Sequence, residues 1–581
     1  MELALLVFSV IIGLCQLSAS APVIPAPWGS VQGVDIEGQG GRRLSGYLGI
    51  PYALPPTGEL RWMKPQPHPG PGEGKAFAAD TLMPACPQEL PGMGVYAGIS
   101  EDCLTLNVYT PADSDPQTSS RPVMIFIHGG GFFMGDAPPY RPTKLVADGG
   151  VIVVTIQYRL GPLSFLSTGD DWLPGNLAFW DQNLAICWVK DNIRAFGGDP
   201  ETMTLFGESA GSMSVGYQMI SPHSKGLFQR VILQSNCPMP MSSFGVDEVK
   251  AFEGLAKTLD CVRDSREEAL DCMRTHSAEE IISKTSAFTK ATPEPQFQPR
   301  VDGEFLPREP LELVSDEKYV QEIGLADLDV LVGFNNMEGS VFLFTMLMSG
   351  TPLQALGTPQ VFQGVLDHAV KTGNRGKVDD VVKLAVEFFY RMGDFGTDAP
   401  VPVDAVLNLY SDPLMLAPIV NWTRTLAAQE PRTGSRYMYL LDHAFDFNNY
   451  GPAPGSHHGD DLVLEWEFLV PEGGMNILTM MNKTHLTKEE EGLSDLFVDI
   501  VTTFAKTGNP SPAVKSVTGG DWPEFTSENE AYLALSQNPR VERNVYRDRS
   551  ALWLQLVPQL AGASQDNQQA KSEAAKVKEE L

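Results

Sequence analysis

The chain has 581 residues, and 43% of them are hydrophobic, which is enough to bury a large core. Its formal net charge of −30 at pH 7 argues against nucleic acid and anionic membrane surfaces as partners, because both attract Lys and Arg. Solubility is the ordinary explanation of such acidity, and steering of cationic ligands is the alternative.

The chain begins with the pattern of a signal peptide at residues 1–20. Residues 3–14 form an apolar run, and Ser18, Ala19 and Ser20 supply small residues for a cleavage site. The run lacks the preceding Lys or Arg that signal peptides usually carry, and it is too short to span a membrane comfortably. No later segment of the sequence is long and apolar enough either. We therefore expect a protein of a secretory compartment without a transmembrane span.

Apolar runs that predict buried β-strands recur through the middle of the chain. The clearest runs occupy residues 122–128, 151–159, 202–206, 230–235 and 329–334. Because these runs do not alternate with polar residues, we expect helices to cover both faces of their sheet. One such helix is predicted at residues 176–198, between the second and third runs. This alternation predicts an α/β fold with a mostly parallel central sheet.

The later part of the chain changes character. Residues 340–430 are rich in helix-compatible stretches, which predict a helical cap beside the sheet. A strand is predicted at 437–445 and an amphipathic helix at 493–508. Residues 563–581 are polar and charged, so we expect them to form an exposed tail. The main body is predicted to be one domain of residues 21–562.

Cysteine usage agrees with an oxidising compartment. Six cysteines remain once Cys15 is removed with the signal peptide: Cys86, Cys103, Cys187, Cys237, Cys261 and Cys272. Two local pairs stand out, because they would close the loops 86–103 and 261–272. Cys187 falls in a helical pattern and is expected to be a buried thiol, whereas Cys237 fits either a thiol or a disulfide. The spacing is not that of a metal site, and the sequence calls for no metal or cofactor.

Two further features accompany the secretory interpretation. The sequons at Asn421 and Asn482 are candidate glycosylation sites. The C-terminal residues 578–581, KEEL, resemble the KDEL tetrapeptide that retains proteins in the lumen of the endoplasmic reticulum. We therefore keep both locations open, secreted and retained.

Residues 204–212, TLFGESAGS, place Ser209 between a predicted strand and a predicted helix. The motif G-x-S-x-G is weak by itself, and a small residue in an ordinary turn is the alternative. A nucleophile elbow, however, requires this strand-to-helix context. It also requires Gly207 and Gly211, because side chains at these positions would clash with neighbouring backbone. The context favours Ser209 as a nucleophile.

A second glycine motif, HGGGFFMG at residues 128–135, follows the first predicted strand. The N–H groups of Gly130 and Gly131, with that of Ala210, are the candidates for an oxyanion hole. Taken alone, HGGG fits a flexible loop equally well. Two such motifs in this order and context favour catalysis.

Four segments together resemble the type-B carboxylesterase/lipase family, which includes liver carboxylesterases, bile-salt-activated lipase and cholinesterases. They read EDCLTLNVYTP, HGGGFFMG, GNLAFWDQNLAICWVKDNIRAFGGDP and TLFGESAGS, and the similarity extends from about residue 25 to 555. The resemblance implies an α/β-hydrolase fold: a large, mostly parallel central sheet flanked by helices, with helical cap insertions. It also implies disulfides between Cys86 and Cys103 and between Cys261 and Cys272.

The resemblance also implies a catalytic triad. The segment GFNNMEGS places Glu338 as the acid, and HHGDD places His458 as the base, in the chain order Ser209, Glu338, His458. His457 adjoins the candidate base and is the alternative, but the match to HGDD favours His458. Glu208, beside the nucleophile, either tunes the local field or has a structural role.

Sequence features limit the choice of ester. The loop 86–103 contains no Trp, and Tyr96 is its aromatic residue, which disfavours a cation–π site for choline. Met239 and Met241 suit a roomy acyl pocket, although core packing explains them as well. The segments LPGN, SPHSKGL, NNMEGS and FAKTGNPS resemble bile-salt-activated lipase, but its proline-rich repeat tail is missing.

The sequence thus predicts a serine hydrolase of uncharged, apolar carboxylic esters that works through an acyl-enzyme on Ser209. One alternative is a lipase activated by a bile-salt-like amphiphile. Another is a juvenoid-hormone-type esterase, although those enzymes usually carry GQSAG where this chain has GESAG. A non-catalytic adhesion or binding protein of the neuroligin kind is the alternative from a different functional class.

Overall fold

The computed structural model describes residues 20–88, 97–115, 118–238, 246–291, 297–348, 350–374, 377, 379–446, 455–469 and 486–563. Most of the predicted signal peptide and tail, KEEL included, lies outside the described residues, as do Tyr96, Met239, Met241 and Asn482. The division of the chain into residues 1–20, 21–562 and 563–581 therefore stays a prediction.

A large twisted sheet forms the centre of the molecule, in the order β1-β2-β3-β5-β8-β6-β9-β10-β11-β12-β14-β15, with β4 beside β2 and a separate pair of β7 and β13. Strands from β8 to β14 in this order run parallel. The strands outside them pair antiparallel, except that β4 pairs parallel with β2. The strands are β1 Ser20–Ala26, β2 Gly29–Glu37, β3 Arg43–Pro51, β4 Ala76–Ala78, β5 Thr105–Pro111, β6 Arg121–Ile127, β7 Tyr140–Arg141, β8 Ile152–Ile156, β9 Gly198–Glu208, β10 Arg230–Gln234, β11 Asp329–Asn335, β12 Arg436–Leu441, β13 Glu467–Phe468, β14 Ala531–Leu535 and β15 Arg540–Arg543.

Helices cover both faces of this sheet. They are α1 Thr143–Ala147, α2 Pro162–Phe165, α3 Leu177–Asn192, α4 Ala210–Ile220, α5 Glu248–Thr258, α6 Arg266–Arg274, α7 Ala278–Ala291, α8 Pro310–Ser315, α9 Glu317–Ile323, α10 Val341–Met348, α11 Pro359–Gly373, α12 Asp380–Arg391, α13 Val403–Ser411, α14 Ala417–Ala427, α15 Leu462–Glu465, α16 Lys488–Thr507, α17 Ser511–Thr518 and α18 Arg547–Ala551. The expected architecture, a mostly parallel sheet flanked by helices, is confirmed.

Strand β6 explains why the predicted strands lack alternation. Val123 and Ile125 belong to the hydrophobic core on one face of the sheet. Met124 and Phe126 belong to the core on the other face. Because both faces are covered, every position of such a strand favours an apolar residue. All five clearest predicted strands fall on parallel strands of the structure.

Helix α16 begins at Lys488, five residues before the predicted start at 493. Thr487 and Glu490 form a capping box, in which each side chain accepts a hydrogen bond from the other residue's backbone N–H. The helix ends at Thr507, and Gly508 follows in the left-handed conformation. The capping box satisfies N–H groups of a polar first turn that the apolar periodicity alone does not reveal.

The predicted cap at residues 340–430 is helical, and α10 to α14 form a third hydrophobic core there. Within the described part of the chain, the helical stretch Val403–Ala427 is long and apolar enough to cross a membrane. However, 61% of its apolar window is buried inside the protein. It also contains Asp412, which forms an ion pair with Arg549. These features are typical of a core helix.

Candidate active site

Ser209 occupies a sharp turn between β9 and α4. Its φ of 58° lies in the left-handed region that residues with side chains rarely adopt. The backbone N–H of Ser209 donates a hydrogen bond of 2.9 Å to the carbonyl of Gln234, at the end of β10. A Cβ on Gly207 would lie 2.6 Å from the carbonyl oxygen of Ile127, and one on Gly211 would overlap that same oxygen. The geometry is that of a nucleophile elbow, and it explains both glycines.

The HGGG loop approaches this serine from the end of β6. A Cβ added to Gly129 would lie 3.2 Å from Cβ of Ser209, so the two backbones are in close contact. Gly130 and Gly131 follow with φ of 110° and 63°, and a Cβ on Gly130 would overlap the carbonyl of Met134. The structure therefore brings the HGGG loop against the elbow through Gly129, and the loop conformation requires glycine at position 130.

Gln88 fixes the far end of the HGGG loop. Its side-chain amide donates to the carbonyl of Gly135 and accepts from the N–H of Gly135, at 2.8 Å each. Gln88 lies two residues after Cys86, whose disulfide to Cys103 anchors this segment. The predicted first disulfide loop thus supports the glycine loop, a connection that the sequence did not reveal.

Glu338 and His458 form a buried acid–base pair. Nδ1 of His458 lies 2.5 Å from Oε2 of Glu338, and Oε1 of Glu338 accepts the backbone N–H of Asn335 at 2.7 Å. The backbone N–H of His458 donates to Oγ of Ser340 at 2.8 Å. These contacts fix the imidazole ring with its Nδ1 proton directed at a carboxylate.

His457, the alternative base, has different surroundings. Its backbone N–H donates to Oδ2 of Asp460 at 2.6 Å, and it forms a parallel β-bridge with Met337. The carboxylate of Glu338 contacts the ring of His458 instead. In the structure, the imidazole that pairs with Glu338 is therefore that of His458 and not that of His457.

Glu208 faces the other nitrogen of the same ring. Its Oε1 lies 3.1 Å from Nε2 of His458. Burial lowers the pKa of His458, but the charges of Glu208 and Glu338 outweigh it and raise this pKa to about 9. Burial raises the pKa of Glu208 to about 8, despite the opposing charge of His458. The carboxylates of Glu208 and Glu338 stabilise the protonated, positively charged imidazolium form of His458. A general base acquires this positive charge when it takes a proton.

Behind the pair lies a polar network that the sequence analysis missed. Nδ2 of Asn335 donates to Oδ1 of Asp461 at 3.4 Å, and Nε2 of Gln234 donates to Oδ2 of Asp461 at 3.2 Å. Gln234 and Asn335 are the last residues of neighbouring parallel strands, as is Glu208. Polar residues at the carboxyl ends of parallel strands are the signal that could have identified them.

The disulfides are as expected. Cys86 is bonded to Cys103, and Cys261 to Cys272. The expected thiol Cys187 is free but only half-buried, while Cys237 is free and buried. Within the described residues, one group of neighbouring side chains combines residue types that can bind a metal ion: Cys261, Cys272 and His276. Because the two cysteines are bonded to each other, they are not available as thiolate ligands.

The Asn421 sequon lies in helix α14 and not in a surface loop. Asn421 is half-buried, and Thr423 is 1% exposed and donates to the carbonyl of Ile419 at 2.8 Å. Glycosylation at Asn421 therefore stays a prediction, at a position less open than sequons usually occupy.

Known proteins resemble the chain along nearly its whole length. The profile of the carboxylesterase family matches residues 20–553. Carboxylesterase 5A of Mus musculus is 33% identical over 543 residues, which cover 89% of this chain and 86% of the mouse protein. Liver carboxylesterase of Sus scrofa is 31% identical over 571 residues, which cover 93% of this chain and 94% of the pig protein.

A relative that is not named as a carboxylesterase is about as similar to this chain. Neuroligin-2 of Mus musculus is 31% identical over 589 residues, which cover 93% of this chain and 68% of neuroligin-2. Identity at this level shows common descent and a common α/β-hydrolase fold, whereas activity depends on the residues of the site. The resemblance predicted from four sequence segments is confirmed: the chain belongs to the carboxylesterase family.

Proposed function

We propose that this protein is a serine hydrolase that cleaves uncharged, apolar carboxylic esters through an acyl-enzyme on Ser209. The observation that carries the proposal is the combination of Ser209 in the elbow with the 2.5 Å contact between Glu338 and His458. A protein selected only for binding has no need of a strained serine beside an acid–base pair. Membership of the carboxylesterase family supports the same reaction class.

In the proposed reaction, the hydroxyl of Ser209 attacks the acyl carbon while Nε2 of His458 takes the hydroxyl proton. His458 then gives this proton to the leaving alcohol as the ester bond breaks. Glu338 holds the ring in one tautomer and stabilises the imidazolium. Water attacks the acyl-enzyme by the same route, which releases the carboxylic acid and restores Ser209.

The N–H groups of Gly130, Gly131 and Ala210 are proposed to stabilise the oxyanion of each tetrahedral intermediate. Gly129 packs against Ser209, and Ala210 is the first residue of helix α4, whose N-terminus carries a partial positive charge. One such donor contributes about 3 kcal/mol to transition-state stabilisation.

Charge and sequence favour neutral, apolar esters. The net charge of −30 repels anionic substrates. The lack of Trp between residues 86 and 103 removes the aromatic residue expected of a choline site. A bile-salt-activated lipase, a juvenoid-hormone-type esterase and an adhesion protein related to neuroligin-2 are the alternatives that an experiment must separate.

The test compares hydrolysis of p-nitrophenyl acetate, butyrate and palmitate by the wild type and by Ser209→Ala, with and without bile salt. Ser214→Ala is the matched control, because Ser214 is a buried serine of the same helix whose Oγ accepts from Gln182. We expect acetate or butyrate to be preferred without bile salt, and Ser209→Ala alone to be inactive. Palmitate turnover that requires bile salt would instead indicate a lipase, and an inert wild type would indicate a binding protein.

We also propose that the chain enters the secretory pathway, where it is either secreted or retained through KEEL. The two disulfides support this location. Expression in cultured animal cells, with and without the last four residues, distinguishes the two fates. Release into the medium only after the deletion supports retention.

A further inference from the structure

Glu465 is a buried carboxyl group that the proposed reaction does not use. It is the last residue of α15 and is 1% exposed. Asp461, the N-cap residue of α15, lies four residues earlier, a spacing that brings its side chain to the same side as that of Glu465. Nε2 of Gln234 donates to both, at 3.0 Å to Oε1 of Glu465 and 3.2 Å to Oδ2 of Asp461.

Gln234 connects this carboxyl pair to the nucleophile. Its carbonyl accepts the backbone N–H of Ser209, while its side chain is held by Asp461 and Glu465. A change in the pair therefore acts on the residue that fixes the elbow. This connection joins residues more than 200 positions apart in the sequence.

The surrounding charges do not balance. Burial, and then the carboxyl groups of Asp461 and Glu208, raise the pKa of Glu465; burial, and then Glu338, raise the pKa of Asp461. Tyr439 donates to Asp461, and Trp466 donates to Glu465. Among the described groups, His458 is the cation that acts on Glu208 and Asp461, and it also pairs with Glu338. Four buried carboxylates beside one cation are too costly to be ionised together, so at least one proton stays in the cluster.

Hydrogen bonding indicates where that proton lies. Asp461 accepts from Gln234, Asn335 and Tyr439, and Glu338 accepts from Asn335 and contacts His458. The donors to Asp461 stabilise its ionised form.

Glu465 receives its two donors, Gln234 and Trp466, on Oε1 alone. Its Oε2 is buried and has no hydrogen-bond partner among the described residues. Burial is the main cause that raises the pKa of Glu465 to about 8, whereas the pKa of Asp461 is raised to about 6. Glu465 is therefore the carboxyl of this pair that retains a proton more readily. The pKa of Glu208 is raised to about 8 as well, but its Oε1 lies 3.1 Å from Nε2 of His458, whose positive charge compensates its negative charge.

We propose that Glu465 is a positioning residue that holds a proton beside ionised Asp461, and so limits the negative charge that acts on Glu338 and His458. The protonated carboxyl keeps its contact with Gln234 without adding charge to the site. At alkaline pH the proton passes to hydroxide in the solvent, and the new negative charge makes His458 harder to deprotonate. This consequence for catalysis rests on the proposed function.

The test uses Glu465→Gln, which preserves the shape of a protonated Glu but cannot ionise. We expect the wild-type infrared spectrum at pH 7 to contain a carboxylic-acid carbonyl band that is missing from the variant. We also expect the acid limb of the kcat/KM profile to move to lower pH by about 0.5 unit or more in the variant. Glu467→Gln is the matched control, because Glu467 is a nearby carboxylate that pairs with Arg141. This control should change neither readout.

An infrared difference spectrum without that band would overturn the protonation of Glu465, and superimposable pH profiles would overturn its positioning role. An inert wild type that still shows the band would contradict the proposed function and support the proton. Asp461→Asn is a second variant, needed if Glu465→Gln does not fold. With Asp461 neutral, Glu465 ionises at lower pH, so the band must weaken at pH 7; an unchanged band would contradict the proposal.

Discussion

Two buried charge clusters of this protein differ in how their charges are compensated. In the cap, Asp412 is fully buried and accepts from Arg549 at 2.8 Å through Nε, with Tyr390 and a second guanidinium nitrogen as further partners. The carboxyl edge of the sheet, by contrast, carries four buried carboxyl groups, those of Glu208, Glu338, Asp461 and Glu465. Among the described groups, His458 is the cation that acts on Glu208 and Asp461 and pairs with Glu338.

The two clusters indicate different uses of buried charge. A fully paired ion is stabilised in one protonation state, which suits a structural role. An unbalanced cluster shares protons and sits beside strained backbone at Ser209, which suits proton transfer. We therefore expect substitutions in the first cluster to act on stability alone, and substitutions in the second to act mainly on catalysis.

The largest expected effect is that of His458→Ala. Removal of the general base should lower kcat/KM for p-nitrophenyl butyrate by about 10⁴-fold or more. Steady-state kinetics of purified proteins measure this loss, and circular dichroism checks the fold. His457→Ala is the control and should retain activity within about tenfold. Equal losses in both variants would contradict the assignment of the base.

Replacement of Arg549 tests the structural cluster. Arg549→Leu leaves the buried carboxylate of Asp412 with Tyr390 but without its cation, and should cost about 3–5 kcal/mol of unfolding free energy. The kcat/KM of the folded fraction should stay near the wild-type value. Urea unfolding followed by fluorescence measures the cost. Arg540→Leu, at an exposed ion pair with Glu542, should cost about 0–1 kcal/mol.

Substitutions in the HGGG loop should act on catalysis in a graded order. Gly130→Ala forces the loop to move, because its Cβ would overlap the carbonyl of Met134, and should lower kcat by about 10²-fold or more. Gly131→Ala meets the half-exposed side chain of Phe133, which can move, so its effect should be smaller. Gly364→Ala, in open space on α11, is the control. The reverse order would contradict the proposed roles of this loop.

The smallest expected effect is on how the stability of the protein varies with pH. The pKa of Glu465 is raised from 4.5 to about 8, so the folded protein retains a proton that the unfolded chain releases. Stability is therefore lost as pH rises between these values. Glu465→Gln should gain a few degrees in Tm relative to the wild type between pH 5 and pH 8. Calorimetry measures this, and a difference that does not vary with pH would contradict the raised pKa.

Local patterns predicted the elbow and the parallel strands of the sheet except β14, Ala531–Leu535. Strand β9, which ends just before Ser209, is buried on both faces at its apolar run, so this run can be recognised from the sequence without its neighbouring strands. The antiparallel strands β1 to β3 were not predicted, because Gly29–Glu37 mixes polar and apolar residues and is only partly buried. Their pairing depends on contacts with other strands, which local composition does not encode.

The residues of the site likewise divide into those that a sequence motif identifies and those that it does not. Ser209, Glu338 and His458 were nominated from motifs, each with a local signature. Gln234, by contrast, lies at the end of an ordinary strand, and its partners are 227 and 231 residues away in sequence. Only folding brings such residues together, so the hydrogen bonds between them could not be predicted from their spacing in the sequence.

The central claim is that Ser209 is an activated nucleophile, and labelling with a fluorophosphonate ester tests it most directly. Intact-mass measurement should show one phosphonyl group on the wild type, located on Ser209 by peptide mapping, and none on Ser209→Ala. Labelling of His458→Ala should be much slower, because the base that activates the serine is missing. A wild type that stays unlabelled, or a label that persists in Ser209→Ala, would contradict this account.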